Sequence, residues 1–197
     1  MDENYRSLLA HINAIAPLSA AEEQLVITSF HPQKVKKRQF IVQPGFVAQY
    51  RHYVVQGAFR SYVVTDGGLD FTIALAVDHW WITDYNSFIA QQPATMFTVA
   101  LEDSSILRLD YTAEQQLKQS AHALETFFRV IAERGLAAHQ RRIINSLTLT
   151  AEERYDAFVQ RYPHIVQRVP QYVLASYLGM TTEFLSRIRN RRVGLKS

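Results

Sequence analysis

The sequence predicts an α+β protein: a β jelly roll with flanking helices, then a long helix, then a C-terminal helix-turn-helix. Three observations carry this expectation. Between Pro32 and about Leu109 the chain breaks into short β-rich runs separated by turn residues. From Leu117 to Ala138 apolar residues recur at alternating steps of four and three. Residues 169–192, VPQYVLASYLGMTTEFLSRIRNRR, form two short apolar-faced segments joined at a glycine.

Taken in order, Tyr5, Leu8, Leu9, Ile12 and Ile15 make an apolar helical stripe that Pro17 ends. Ser19 and Glu22 have capping-box spacing for a second helix through Phe30. The runs KVKKRQFIVQ, QYRHYVVQ, AFRSYVVT, LDFTIALAV, TMFTVALE and SSILRL then alternate with the turn signals Pro44-Gly45, Gln56-Gly57, Asp66-Gly67-Gly68 and Glu102-Asp103-Ser104. Many short strands at this spacing suit a sandwich or jelly roll. The basic cluster from Lys34 to Arg38 reads as a solvated strand face.

After Tyr111 the period turns helical. Leu117, Ala121, Leu124, Phe128, Ile131, Gly135 and Ala138 follow the spacing of a coiled-coil seam, which predicts a dimerisation helix marked by Leu117, Leu124, Phe128, Ile131 and Gly135. A glycine inside a helix costs about 1 kcal/mol relative to alanine, so Gly135 calls for close helix approach. Phe127, Ile143, Ile144 and Leu147 supply further faces for the body of the protein. Thr150 and Glu153 repeat the capping box before a helix through Tyr162, which Pro163 is expected to stop. The boundaries are 1–115 for the β domain, 116–148 for the long helix and 149–197 for the helix-turn-helix.

In the last unit Leu174, Ala175 and Leu178 face Leu185 and Ile188, while Gly179 ends the first helix and Thr181 caps the second. Thr182, Glu183, Ser186, Arg187, Arg189 and Asn190 are left facing outward, with Arg191 and Arg192 behind. Such a set suits base edges and phosphates: arginine bonds guanine bidentately, and glutamate accepts from the cytosine amino group. Charge is distributed accordingly. Residues 1–120 carry 9 basic and 12 acidic residues, net −3, whereas residues 121–197 carry 12 and 6, net +6. A basic module meeting a polyanion fits this asymmetry.

The 197 residues are 48% apolar, enough to fill the core of a folded protein. They include no cysteine, which removes disulfides, thiolate metal sites and cysteine nucleophiles. His11, His31, His52, His79, His122, His139 and His164 show no close paired-ligand spacing, and no metal site is expected. No nucleophile elbow or catalytic pair stands out, so no enzyme is expected. No signal or membrane-spanning segment is legible, and a cytoplasmic location is the expectation.

The order of parts, a β barrel, a long helix and a C-terminal helix-turn-helix, resembles the Crp/Fnr family of bacterial transcription regulators. The match is sharpest in VPQYVLASYLGMTTEFLSRIRNRR, with weaker barrel matches at Pro44-Gly45, Gln56-Gly57 before Phe59-Arg60-Ser61-Tyr62, and Ala100-Leu101-Glu102. The resemblance implies a cyclic-nucleotide-binding-like jelly roll, a winged helix and a homodimer on a palindromic promoter in double-stranded DNA, with RNA polymerase as a further partner. It places Thr182, Glu183 and Arg187 at base-reading positions and Thr181 near a phosphate. Arg189, Arg191 and Arg192 fit phosphates.

Two departures matter. The family's Gly-Glu and Arg-Ser phosphate pairs fall here on Thr83-Asp84 and Ala94-Thr95, so Ala94 replaces the phosphate-binding arginine and cyclic nucleotide is not expected. Arg60, Arg108 or Arg129 could supply a different charge, and Trp80, Asp84, Tyr85, Ser87, Gln92 and Thr95 form a candidate pocket for an unknown small-molecule effector. An effector-independent regulator is the other reading of the barrel. With only Val193 to Ser197 after the recognition helix, the wing is expected to be short or to come from strands before Pro170. A sensor acting through protein partners, with the hairpin as adaptor, is the alternative function.

Overall fold

The structure, a computed structural model, describes residues 3–194, with side chains as far as Arg191. Its centre is a jelly roll of β1 (His31–Val35), β2 (Phe40–Val42), β3 (Tyr50–Gln56), β4 (Phe59–Val64), β5 (Asp70–Ala76), β6 (Trp81–Ile82), β7 (Phe97–Ala100) and β8 (Ser104–Asp110). These pair antiparallel in two sheets, β1-β8-β3-β6 and β2-β7-β4-β5. The short strand β6 and the helix α3 (Tyr85–Ala90) that follows it were not legible as runs in the sequence.

Because side chains alternate along a strand, each sheet has an inner and an outer set. Val35, Val54, Ile82 and Ile106 of the first sheet meet Phe59, Ala76 and Ala100 of the second inside the barrel. The outer set of the first sheet, Tyr53, Leu107 and Leu109, is covered by α1 (Glu3–Asn13), α2 (Ala20–Ser29), α4 (Tyr111–Ser120) and α5 (His122–Thr148). Both capping boxes expected from the sequence form, at Ser19/Glu22 and Thr150/Glu153.

The structure corrects the long helix. It breaks at Ala121, whose backbone is extended (φ −147°, ψ 119°), so α4 and α5 are separate. The bend turns Leu117 and Leu124 into one core with Phe127 and Phe128, all at most 2% exposed. The expected seam residues Leu117, Leu124 and Phe128 are therefore sealed inside their own protomer, with Ile131 packed partly against them. Gly135 lies on the continuation of that inward phase, and a Cβ built there meets nothing within 4 Å. Ile143, Ile144 and Leu147, expected against the body, are instead 58%, 57% and 79% exposed, as is Leu136 at 61%. The free apolar face of α5 thus lies one helical position beyond the phase expected, because the inward phase serves the protomer's own core.

The C-terminal unit comprises α6 (Ala151–Arg161), α7 (Pro163–Arg168), α8 (Gln171–Leu178) and α9 (Thr182–Gly194). Pro163 opens α7 rather than ending structure, since a proline at the first helical position loses no hydrogen bond. Residues 151–161 and 163–168 are helical, so no strand between α5 and Pro170 forms a wing. The side chain of Arg192, and Leu195, Lys196 and Ser197, lie outside the described residues. Among the described residues no helix is long and apolar enough to cross a membrane.

Candidate nucleic-acid interface

The helix-turn-helix is fixed from its buried side. Val173, Leu174, Ala175 and Leu178 of α8 close on Leu185 and Ile188 of α9, with Tyr155 and Phe158 of α6 and Ile165 of α7 behind them. Gly179 takes the left-handed conformation (φ +67°) at the end of α8, and the Met180 N–H returns to the Ala175 carbonyl at 3.0 Å. Thr181 Oγ1 accepts from the Phe184 N–H at 3.2 Å, starting α9. Arg154, not anticipated from the sequence, donates to the carbonyls of Leu149, Leu178 and Gly179 and so fastens the turn to α6.

With Leu185 and Ile188 inward, helical spacing leaves Thr182, Glu183, Ser186, Arg187 and Asn190 on one outward face. Four of these, Thr182, Glu183, Ser186 and Arg187, line a shallow open depression of about 440 Å³ with Gln171 of α8. Gln171 was missed in the sequence; its side chain donates to the Thr182 carbonyl at 3.3 Å across the turn. The Glu183 carboxyl is held below the usual range by its own backbone N–H first, then by the Thr181 hydroxyl and the charge of Arg187, so it stands as an ionised acceptor. The Arg187 guanidinium lies over the Phe184 ring, 5.3 Å from its centroid.

Arg189 and Arg191 flank this face on its two edges. Arg191 is paired with Glu152 of α6 at 2.9 Å, and both side chains are largely exposed. Such a pair is worth at most about 1 kcal/mol and is screened by salt, so it leaves Arg191 free to exchange partners.

The unit is anchored to the barrel. β5 is an edge strand, and its backbone groups are taken by helix side chains: the Thr72 N–H donates to Ser176 Oγ of α8 (2.9 Å), and Arg142 of α5 donates to the carbonyls of Thr72 and Ile73 while also reaching the Tyr177 carbonyl of α8. Arg168, at the end of α7, grips Asp78 (2.6 and 3.0 Å) and Glu102 (2.9 Å). Ala58, Leu75 and Val77 of the barrel share the apolar core of the helices.

The residues expected to line an effector pocket have other duties. Trp80 packs edge-on to Tyr162 of the helical unit at 5.4 Å. Asp84 is fully buried: one carboxylate oxygen accepts the Ser87 N–H (3.1 Å), the other those of Thr95 (3.0 Å) and Met96 (3.3 Å). Ser87 binds the Ala48 N–H and the Gln92 carbonyl, while Gln92 and Thr95 are exposed. Tyr85 rests on the Arg51 guanidinium at 5.3 Å. Ala94 is 4% exposed and packs with Val42, Ala48 and Phe88. A cyclic phosphate does not fit here: the segment from Thr83 to Thr95 has no cationic residue, and the Asp84 carboxylate already occupies backbone donors that an anion would need. Of the other candidate charges, Arg60 binds Asp70 and Thr72, and Arg129 pairs with Glu133.

Among the described residues, no three histidine or acidic side chains are grouped to hold a metal.

A jelly roll leading through a long helix into an α8–turn–α9 unit is the fold of regulators of the Crp/Fnr type. FixK2 from Bradyrhizobium japonicum is similar at a TM-score of 0.75 and 17% identity, over 85% of this chain and 86% of that one. The c-di-GMP-responsive global regulator CLP of Xanthomonas campestris is similar at 0.69 and 16%, over 89% and 92%. A Crp/Fnr-family regulator from Eubacterium rectale is similar at 0.67 and 15%, over 90% and 85%. At these identities the likeness establishes the fold. No family model matches the chain, and no curated protein matches it.

Proposed function

We propose that this chain is a sequence-specific DNA-binding transcription regulator that acts as a homodimer in the cytoplasm and responds to a small molecule other than a cyclic nucleotide. One observation carries the reading. The face of α9 opposite Leu185 and Ile188 presents Thr182, Glu183, Ser186, Arg187 and Asn190 around an open depression, while the core holds that helix rigidly. Arg187 and Glu183 read base edges; Thr181, Arg189, Arg191 and Arg192 meet phosphates. The likeness to Crp/Fnr regulators supports the same reading.

The dimer uses the free face of α5, where Leu136, Ile143 and Leu147 recur at helical spacing and are each more than half exposed. Its two-fold axis sets the two α9 helices about 34 Å apart, one turn of DNA. RNA polymerase is the partner through which promoter binding acts. The chain carries no catalytic step in this account.

Selection of random duplexes by the full chain tests the reading. An inverted repeat with half-sites about 10 base pairs apart, bound with a steep salt dependence, is the expected result. Equal weak binding to all duplexes overturns it and favours an adaptor working through protein partners.

A further inference from the structure

Inside the barrel, four strands change character at the same level. Moving away from the Gly57 turn, the inward residue after Val54 on β3 is His52, and after Phe59 on β4 it is Ser61. Their cross-strand partners change with them: Ile106 gives way to Arg108 on β8, and Ala100 to Thr98 on β7. On these four strands an apolar layer is thus followed by a polar one, flanked by Ile82 beside His52, and the apolar group Val42, Ala48, Phe88 and Ala94 closes the barrel beyond it. Val42 is the cross-strand partner of Thr98, and the small residue Ala74 that of Ser61.

Most of this layer is satisfied. Ser61 and Thr98 share one hydrogen bond of 2.9 Å, which leaves one hydroxyl proton uncommitted. His52 lies 3.3 Å from the Ile82 carbonyl, so its Nδ1 carries the proton, and burial keeps the ring neutral. Arg108 is the exception. Its Nε is buried with no acceptor, its guanidinium lies over the Tyr50 ring (4.7 Å to the centroid) beside the neutral His52, and no described carboxylate pairs with it. Among the described residues Arg51, Arg60 and Arg142, whose side chains are also largely withdrawn from solvent, each have an acid or carbonyl partner. Arg108 is half-buried, so its guanidinium stands at the barrel wall with its Nε shut away from water and no described carboxylate to balance its charge. Access exists beside it, because its β1 partner His31 is exposed.

We propose that the barrel binds the oxyanion end of a small metabolite, a carboxylate or a phosphate, on Arg108, with the Ser61–Thr98 hydroxyl pair as the neutral donor. This site is separate from the segment between Thr83 and Thr95. It gives a chemical class to the effector of the proposed regulator and rests on that reading only for its consequence, not for binding itself.

The test is the thermal midpoint of the full chain with malonate or inorganic phosphate, each against chloride at equal ionic strength. A tenfold excess over Kd should raise the midpoint by about 3–6 °C, and the anion that does so identifies the source as carboxylate or phosphate. Arg108→Met should lose the shift while melting no lower than the wild type without ligand, since it removes an unpaired charge. Arg108→Lys keeps a charge and should retain a smaller shift, so a misfolded methionine variant does not shield the proposal. Arg187→Ala should keep the full shift while losing DNA binding, which separates failure of this site from failure of the DNA reading. No shift by either anion at about 50 mM, a concentration that would register even millimolar binding, or an equal shift in Arg108→Met, overturns the proposal.

Discussion

Replacing Arg168 by methionine should loosen the helical unit from the barrel without unfolding either. Arg168 makes four charge-assisted hydrogen bonds, two to Asp78 and two to Glu102, from the end of α7 to turns at one end of the barrel. All three side chains are 28–37% exposed, so water screens these pairs and the buried-pair scale does not apply. Bidentate geometry raises the Asp78 pair above a simple surface pair, while both bonds to Glu102 converge on its Oε1. Together they are worth about 1–2 kcal/mol, and methionine keeps the aliphatic contact. The shared apolar core and the Ser176 and Arg142 bonds to β5 remain.

Urea unfolding should show that loss. Hydrogen exchange should place it in α7 and α8, with β3 and β8 unchanged. A double-mutant cycle with Asp78→Asn should return a coupling of about 0.5–1 kcal/mol. Burial pushes the Asp78 carboxyl up, but the Arg168 hydrogen bond and charge, with the Gly57 N–H, outweigh this and hold it below 3.8. The coupling is therefore full above that value and disappears as pH falls through the lower folded value. A loss above about 4 kcal/mol, or faster exchange throughout the barrel, would refute the view of Arg168 as a clamp between two folded parts.

Other consequences are as direct. Burial pushes His52 down to about 4 from 6.5, so stability should be full above pH 6.5 and decline by roughly 3 kcal/mol as pH falls towards 4, a slope that His52→Gln should flatten in pH-dependent denaturation. Gly57→Ala should cost about 2–3 kcal/mol, because φ is +132° and the new Cβ would lie 2.1 Å from Ser104 Oγ, whereas Gly67→Ala should change urea stability by less than about 0.5 kcal/mol. Ile143→Asp with Leu147→Asp should yield monomers by sedimentation while shifting protomer stability by under about 1 kcal/mol, since both residues are exposed on α5.

What the sequence made legible was local. The capping boxes at Ser19 and Thr150 and the glycine joint at Gly179 each depend on residues within one or two turns, and each formed as read. The barrel followed from turn spacing. The errors arose where distant packing decides. Alternating steps of four and three from Leu117 to Ala138 are equally the spacing of a helix buried against its own protomer, and only the bend at Ala121 shows that this is so. Trp81–Ile82 makes a strand because β3 lies beside it, and Asp84 serves as an internal hydrogen-bond acceptor because the Thr95 amide comes within 3.0 Å. The polar layer of His52, Ser61, Thr98 and Arg108 is invisible until register aligns four strands.

The most direct measurement of the central claim is genome-wide occupancy of the tagged chain beside its Arg187→Ala variant. Arg187 lies on the exposed face of α9, away from the buried seam, so the variant should remain folded. Sharp sites sharing an inverted repeat are expected, lost or relaxed in sequence in the variant, with a cost of about 1–3 kcal/mol at the guanine that Arg187 reads. Identical occupancy by both proteins would contradict it.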